Sequence, residues 1–124
     1  MTDNCTEWEI RLVNGNPQGG SGRVEVCLDG HWGTVCDDGW DSNDATTVCR
    51  QLGYSYAALV KAIPTRRAYF GEGSGPIHLS RAQCNSRDMR LIDCAIDKTG
   101  INGCRHSEDA GVICMGNTIN YNNM

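Results

Sequence analysis

Gly33-Thr-Val-Cys-Asp-Asp-Gly-Trp40 and Glu108-Asp-Ala-Gly-Val-Ile-Cys114 each place a cysteine at a short apolar run, and they decide how this chain is read. Eight cysteines occur in 124 residues. From Cys27 onward the gaps between successive cysteines are 8, 12, 34, 9, 9 and 9 residues. Zinc sites need pairs two to four residues apart, so that one turn aims two thiolates at one ion. No such pair exists here, and an even set so spaced reads as disulfides formed in an oxidising compartment.

Composition agrees. Leu, Ile, Val and Phe number 22 of 124 and aromatic residues make up 6%, a thin supply for a core. The formal net charge is only −4, however, so the chain is not the highly charged, apolar-poor kind that stays unfolded. A bridge closing a long loop removes roughly 3–5 kcal/mol of unfolded-state freedom, and bridges stand in for missing core. The length suits one domain. No apolar run approaches the roughly 18 residues of a membrane span, and no apolar stretch of an export signal opens the chain. The sequence therefore reads as an excerpt of a larger extracellular protein, secreted or membrane-anchored. Asn4-Cys5-Thr6 forms a glycosylation sequon at Asn4. Residues 117–124 have turn composition and read as a frayed end or linker.

Period-two alternation predicts strands at Glu9-Ile-Arg-Leu-Val13, Arg23-Val-Glu-Val-Cys27 and His31-Trp-Gly-Thr-Val-Cys36, with Asp29-Gly30 as a hairpin turn. Ala45, Val48, Cys49 and Leu52 recur at three and four residues, which predicts a helix over Asp44–Leu52. Asp41, Ser42 or Asn43 caps its start, and Gly53 ends it. A second short helix is expected at Asp88–Cys94, long loops over 61–81 around a brief strand at Ile77–Leu79, and a closing strand at Gly111–Cys114. No internal repeat is present.

Taken together, these phrases resemble a scavenger receptor cysteine-rich domain. The matching stretches are Ile10-Arg-Leu-Val-Asn-Gly15, Gly22-Arg-Val-Glu-Val26, Trp32-Gly-Thr-Val-Cys-Asp-Asp-Gly-Trp40, Asp44-Ala to Cys49-Arg-Gln-Leu-Gly53, Phe70-Gly-Glu-Gly-Ser-Gly-Pro-Ile77 and His106-Ser-Glu-Asp-Ala-Gly-Val-Ile-Cys114. They run in family order over about residues 9–115, leaving 1–8 as an N-terminal extension and 116–124 as the tail. The resemblance implies an α+β fold, a curved antiparallel sheet cradling one helix. It implies Cys36–Cys104, Cys49–Cys114 and Cys84–Cys94 bridges. Tyr54 stands where one branch has a further cysteine, so the chain resembles the six-cysteine branch with Cys5 and Cys27 as an extra pair. Those two lie beside neighbouring predicted strands, and a Cys5–Cys27 bridge is the economical reading.

Asp37 and Asp38 would face opposite ways in a continuing strand, but Gly39 lets the chain turn so that both address one cation. Carboxylate oxygens without thiolate or imidazole suit calcium, with magnesium as the alternative. The resemblance adds Asp88, four positions after Cys84, as the third carboxylate. Relatives with a second cation site use acidic and amide groups where this chain has Ser80, Arg81 and Arg87, so that site is expected to be absent or weak here. From Glu25 to Asp44 there are six acidic residues and no Lys or Arg, whereas from Lys61 to Arg90 the six basic residues Lys61, Arg66, Arg67, Arg81, Arg87 and Arg90 stand against only Glu72 and Asp88. Arginines sharing a face grip carboxylate, sulfate or phosphate by bidentate bonds.

Other motifs have plainer readings. His106, Ser107, Glu108 and Asp109 have the letters of a hydrolase triad, but adjacent residues rarely converge as nucleophile, base and orienter, and no nucleophile elbow surrounds Ser107. The glycine-rich loop at 70–75 lacks a Walker lysine and a following helix. Trp8, Trp32 and Trp40 read as packing residues, and Tyr54, Tyr56 and Tyr69 as candidate binding anchors. The expected function is a non-enzymatic extracellular module that binds a protein or polyanionic ligand with calcium assistance. The alternatives are a structural spacer in a mosaic protein and, last, an enzyme. An acidic chain without a reader motif disfavours nucleic acid as its partner.

Overall fold

A computed structural model describes residues 2–16, 20–54, 62–97 and 103–114. Its longest strand, β2 (Ser21–Leu28), organises the sheet. β1 (Ile10–Val13) pairs antiparallel with it from Ile10 opposite Val26 to Val13 opposite Arg23. β3 (His31–Val35) pairs with Glu25–Leu28, and a later strand, Gly111–Ile113, pairs with Ser21–Arg23. A strand has two edges, so β1 holds one edge of β2 while the other two divide the opposite edge. The hairpin between β2 and β3 turns on Asp29 and Gly30, whose φ values of 56° and 80° are the left-handed pair that a two-residue turn requires.

The helix α1 spans Ser42–Gln51. Asp41 is its N-cap: its Oδ1 accepts from the amides of Asn43 and Asp44 at 3.0 and 3.1 Å, and Asp44 Oδ2 accepts from the Asp41 amide at 2.8 Å. This reciprocal capping box satisfies the donors that a helix start leaves open. Asp44 is fully buried and its Oδ1 also accepts from the Cys84 amide at 2.9 Å, which ties the helix to the later loops. Burial, acting first, raises the Asp44 pKa from 3.8 to about 6, against the lowering effect of those amide donors. The inward face of α1, Ala45, Val48 and Cys49, packs with Val24, Val26, Val35, Leu79 and Val112 in a single apolar cluster.

Three more strands complete the sheet, β4 (Ile63–Thr65), β5 (Ile77–Leu79) and β6 (Gly111–Ile113), in the order β4-β6-β2-β3-β5 with β1 off this path. β4 falls where the sequence predicts only loop. Its run of three residues carries no alternation, and Pro64 is tolerated because β4 is an edge strand. The sheet is mixed rather than wholly antiparallel, because β5 runs parallel to β3. The chain returns to β5 through α1 and β4, a crossover long enough for parallel entry where a hairpin would force the opposite direction.

The short helix expected at Asp88–Cys94 contracts to one 3-10 turn at Leu91–Asp93. Arg90 is extended, and no side chain caps the turn. Upstream, Asp88 Oδ2 accepts from the Asn85 amide and Asn85 Oδ1 from the Arg87 amide, local bonds that compete with a helix. A second 3-10 turn occupies His106–Glu108.

Four bridges staple the fold: Cys5–Cys27, Cys36–Cys104, Cys49–Cys114 and Cys84–Cys94. The second and third close separations of 68 and 65 residues, joining the end of β3 and the helix to the C-terminal segment. Cys5–Cys27 fastens the N-terminal extension onto the β2–β3 hairpin, where Asp3 N donates to Gly30 O and Trp8 N to Cys27 O. On the sheet face away from the helix, Arg23 and Glu25 form a buried ion pair at 3.0 Å. Arg11 reaches the same carboxylate at 2.7 Å while lying 4.2 Å over the Trp32 ring.

Candidate functional site: the acidic turn and its arginines

Where β3 ends, Cys36 is pinned by its bridge to Cys104 and by pairing with Asp109. The Asp37 amide then donates to Glu108 O at 2.8 Å, and the Trp40 amide closes a turn onto Asp37 O at 2.9 Å. Gly39 supplies the left-handed residue of that turn at φ 74°. Trp40 is buried beyond it, with Nε1 donating to Gly111 O at 2.9 Å. The two aspartates are thereby held on a rigid corner, one on each side.

Their carboxylates turn to different neighbours. Asp37 Oδ2 accepts from the Arg67 amide at 2.8 Å, and Asp37 has Glu108 close enough for their carboxyl oxygens to lie within 4.8 Å. Asp38 Oδ2 accepts from Arg81 Nε at 2.9 Å. The same guanidinium donates from Nη1 to Asp97 Oδ2 at 3.2 Å. Asp88 stands beside the Cys84–Cys94 bridge, with Oδ2 on the Asn85 amide and its carbonyl accepting from Thr47 Oγ1 and Arg50 Nη1 at 3.4 and 3.3 Å.

Calcium takes six to eight oxygens, so a shared site needs these carboxylates to converge. Among the described residues, donor atoms within 4.8 Å of one another group Asp37 with Glu108 and the Cys36 sulfur, and Asp88 with the Cys84 and Cys94 sulfurs. Those sulfurs are bridged and carry no thiolate. Asp37, Asp38 and Asp88 form no such group, so in this arrangement the three do not make one cage. Glu108, the acidic neighbour that Asp37 does have, was hidden in the sequence. It lies 71 positions away in a turn whose letters point elsewhere, and the Cys36–Cys104 staple together with the Cys36–Asp109 pairing brings it near.

The basic residues also divide. Lys61 lies outside the described residues, as does Tyr56. Arg66 is exposed, but its Nη2 donates to the Trp40 carbonyl. Arg67 lines a shallow cavity of about 480 Å³ with Asp37, Ser107 and Glu108. Arg81 is held by Asp38 and Asp97. Arg87 and Arg90 are exposed on the loop that Cys84–Cys94 closes, and the Arg90 guanidinium lies 3.9 Å from the Asp93 carboxylate.

Among the candidate anchors, Tyr69 is 69% exposed and stands edge-on to Phe70, while Tyr54 packs against the core. The triad letters do not assemble. Ser107 is exposed, and His106 pairs with the buried Asp109 instead. The glycine-rich loop is bolted down by Gly73 N on Asp109 Oδ2 at 2.7 Å and by Arg23 Nη1 on Gly71 O at 3.1 Å. Asn4 is exposed next to the bridged Cys5. No helix among the described residues is long and apolar enough to cross a membrane.

A curled mixed sheet around one helix, stapled by these four bridges, defines a disulfide-rich interaction domain of the scavenger-receptor type. The sequence model of the scavenger receptor cysteine-rich domain matches residues 13–115, and the chain belongs to that family. It is similar to the third such domain of murine neurotrypsin at 50% identity and a TM-score of 0.77, covering 86% of this chain and 94% of that one. It is also similar to the corresponding domain of mouse MARCO, solved in a dimeric form, at 42% identity and a TM-score of 0.66, covering 84% and 92%.

Proposed function

We propose that this domain is a non-enzymatic, extracellular recognition module that binds a protein or polyanionic ligand through its arginines. Arg87 and Arg90 carry the reading. Both are exposed on a loop that the Cys84–Cys94 bridge closes after ten residues, so the fork-shaped donors are presented from a backbone that is already ordered. Ordering before binding lowers the entropy that an interface must overcome, and guanidinium forks match carboxylate and sulfate oxygens. The four bridges fit the oxidising conditions outside the cell.

Calcium assistance is the finer part of the proposal. An ion held by Asp37, Asp38 and Asp88 would cancel acidic charge beside the arginines and offer a coordination position to a ligand oxygen. The three carboxylates do not group in this structure, so such a site requires them to be drawn together around the ion.

Calorimetry with dextran sulfate as the polyanion tests the reading. Arg87→Ala and Arg90→Ala should each weaken binding by about tenfold, and rising salt should weaken it further. Chelation should weaken binding if the calcium part holds. Binding unchanged in the double variant would reject the arginine surface, and absence of binding would favour a spacer role.

A further inference from the structure

The loop that Cys84–Cys94 closes is fastened from below and bare on top. Side chains of α1 hold its backbone. Thr47 Oγ1 and Arg50 Nη1 donate to Asp88 O at 3.4 and 3.3 Å, and Arg50 Nη1 also donates to Ser86 O at 2.7 Å. Gln51 Oε1 accepts from the Leu91 amide at 2.8 Å, and the Leu91 side chain is completely buried in the core. Its neighbours stay in water. Among the described residues the exposed large apolar side chains are Ile63, Tyr69, Met89 and Ile92, and the last two stand on this loop, 57% and 44% exposed. Arg87 and Arg90 are exposed as well, so basic and apolar side chains share the positions 87–92. Exposed apolar residues scattered singly are ordinary on any surface. Two on one fastened loop, in a chain with only 22 Leu, Ile, Val and Phe residues for its core, form a patch.

We infer that this loop is a docking surface for an acidic polypeptide partner, one that presents apolar side chains flanked by carboxylates. The inference rests on the arginine surface of the proposed function and names its partner class. Charge complementarity sets the flanks, because Arg87 and Arg90 are the cations beside Met89 and Ile92. Of the acidic neighbours, Asp88 Oδ2 already accepts from the Asn85 amide at 2.9 Å. Asp93 lies 3.9 Å from Arg90 in an exposed contact that a carboxylate of the partner displaces at little cost. The apolar pair sets the rest. A sulfated or phosphorylated polysaccharide offers charge and hydroxyl groups and gains nothing from Met89 or Ile92. A polypeptide with apolar side chains does gain, because packing them together removes both surfaces from water. Met adapts its shape to an irregular surface, and Met and Arg are enriched where proteins meet. With the backbone already held by α1, only side chains are left to order on binding.

Two capped octapeptides of equal charge test it, one alternating Glu with Leu and the other Glu with Ser. Each is titrated into the oxidised wild-type domain while the methyl resonances of Met89 and Ile92 are followed. The Glu–Leu peptide should bind about tenfold more tightly than the Glu–Ser peptide and should move both resonances. Met89→Ser with Ile92→Ser should erase that preference and leave dextran sulfate binding unchanged. Both side chains are exposed, so this double variant keeps the fold. Arg87→Ala with Arg90→Ala should weaken dextran sulfate and both peptides alike. Equal binding of the two peptides, binding of dextran sulfate alone, or a preference that survives in the serine variant would overturn the apolar docking surface and leave the arginines to a purely anionic ligand. Binding of neither peptide nor dextran sulfate would overturn the arginine surface together with this inference.

Discussion

His106 Nδ1 lies 3.0 Å from Oδ2 of Asp109, a carboxylate whose side chain is completely buried. The other ring nitrogen, Nε2, faces the Gly75 carbonyl at 3.0 Å. Both nitrogens meet acceptors, an arrangement the doubly protonated ring satisfies best. Asp109 Oδ2 also receives the Gly73 amide, so this pair anchors the glycine-rich loop to the start of the closing strand.

That geometry gives a pH dependence. Partial burial opposes the charge on His106, but the Gly75 carbonyl and then Asp109, with Glu72 further off, outweigh it and raise the pKa above 6.5. Thr34 Oγ1 also faces Nδ1 at 3.4 Å. A raised folded-state pKa means the folded form holds the proton more tightly. Its stabilising effect is full below 6.5 and is lost as pH rises through the folded value. Urea unfolding from about pH 5 to about pH 9 should show the difference between wild type and His106→Gln shrinking as pH rises. A difference that stays constant across that range would show that His106 acts only by packing.

Asp44→Ala should be far more costly than its position on a short helix implies. The carboxylate is the acceptor for the Cys84 amide as well as for the Asp41 amide. Stranding the buried Cys84 donor costs about 1–3 kcal/mol, and losing half of the capping box adds about 0.5–2 kcal/mol. Denaturant titration at neutral pH measures the sum. A loss under about 0.5 kcal/mol, the level of an ordinary surface substitution, would contradict this role.

Replacing Cys5 and Cys27 together by alanine should cost less than replacing Cys36 and Cys104. The first bridge closes a separation of 22 residues and the second one of 68. Unfolded-chain entropy scales with the logarithm of that length, giving about 3.4 and about 4.4 kcal/mol. Non-reducing unfolding curves of the two double variants decide the order. A reversed order would mean that the N-terminal extension contributes more through its hydrogen bonds to the hairpin than through chain closure.

Much of this was legible in the sequence because the signals are local. Period-two runs mark β1, β2 and β3, Asp29-Gly30 marks the hairpin, and three- and four-residue spacing with a run of capping residues marks α1. The order of the phrases marks the family. Other features depended on contacts between distant residues. β4 is a strand only because β6 lies beside it, and β5 takes its parallel direction from β3. Glu108 approaches Asp37 through a bridge, and Asp44 is buried because Cys84 comes to it.

The direction in which Asp37 and Asp38 point is the clearest division between the two levels. Adjacent aspartates before a glycine establish that two carboxylates leave one turn, and that is as far as chain chemistry goes. Which donor each meets is decided by groups that approach from 30 and 43 residues away, the Arg67 backbone amide for Asp37 and the Arg81 guanidinium for Asp38. Local sequence determines backbone geometry because dihedral preferences and side-chain periodicity act over a few residues. Charge pairing acts through space, over a few ångströms, between groups that only the folded sheet and its disulfides bring together.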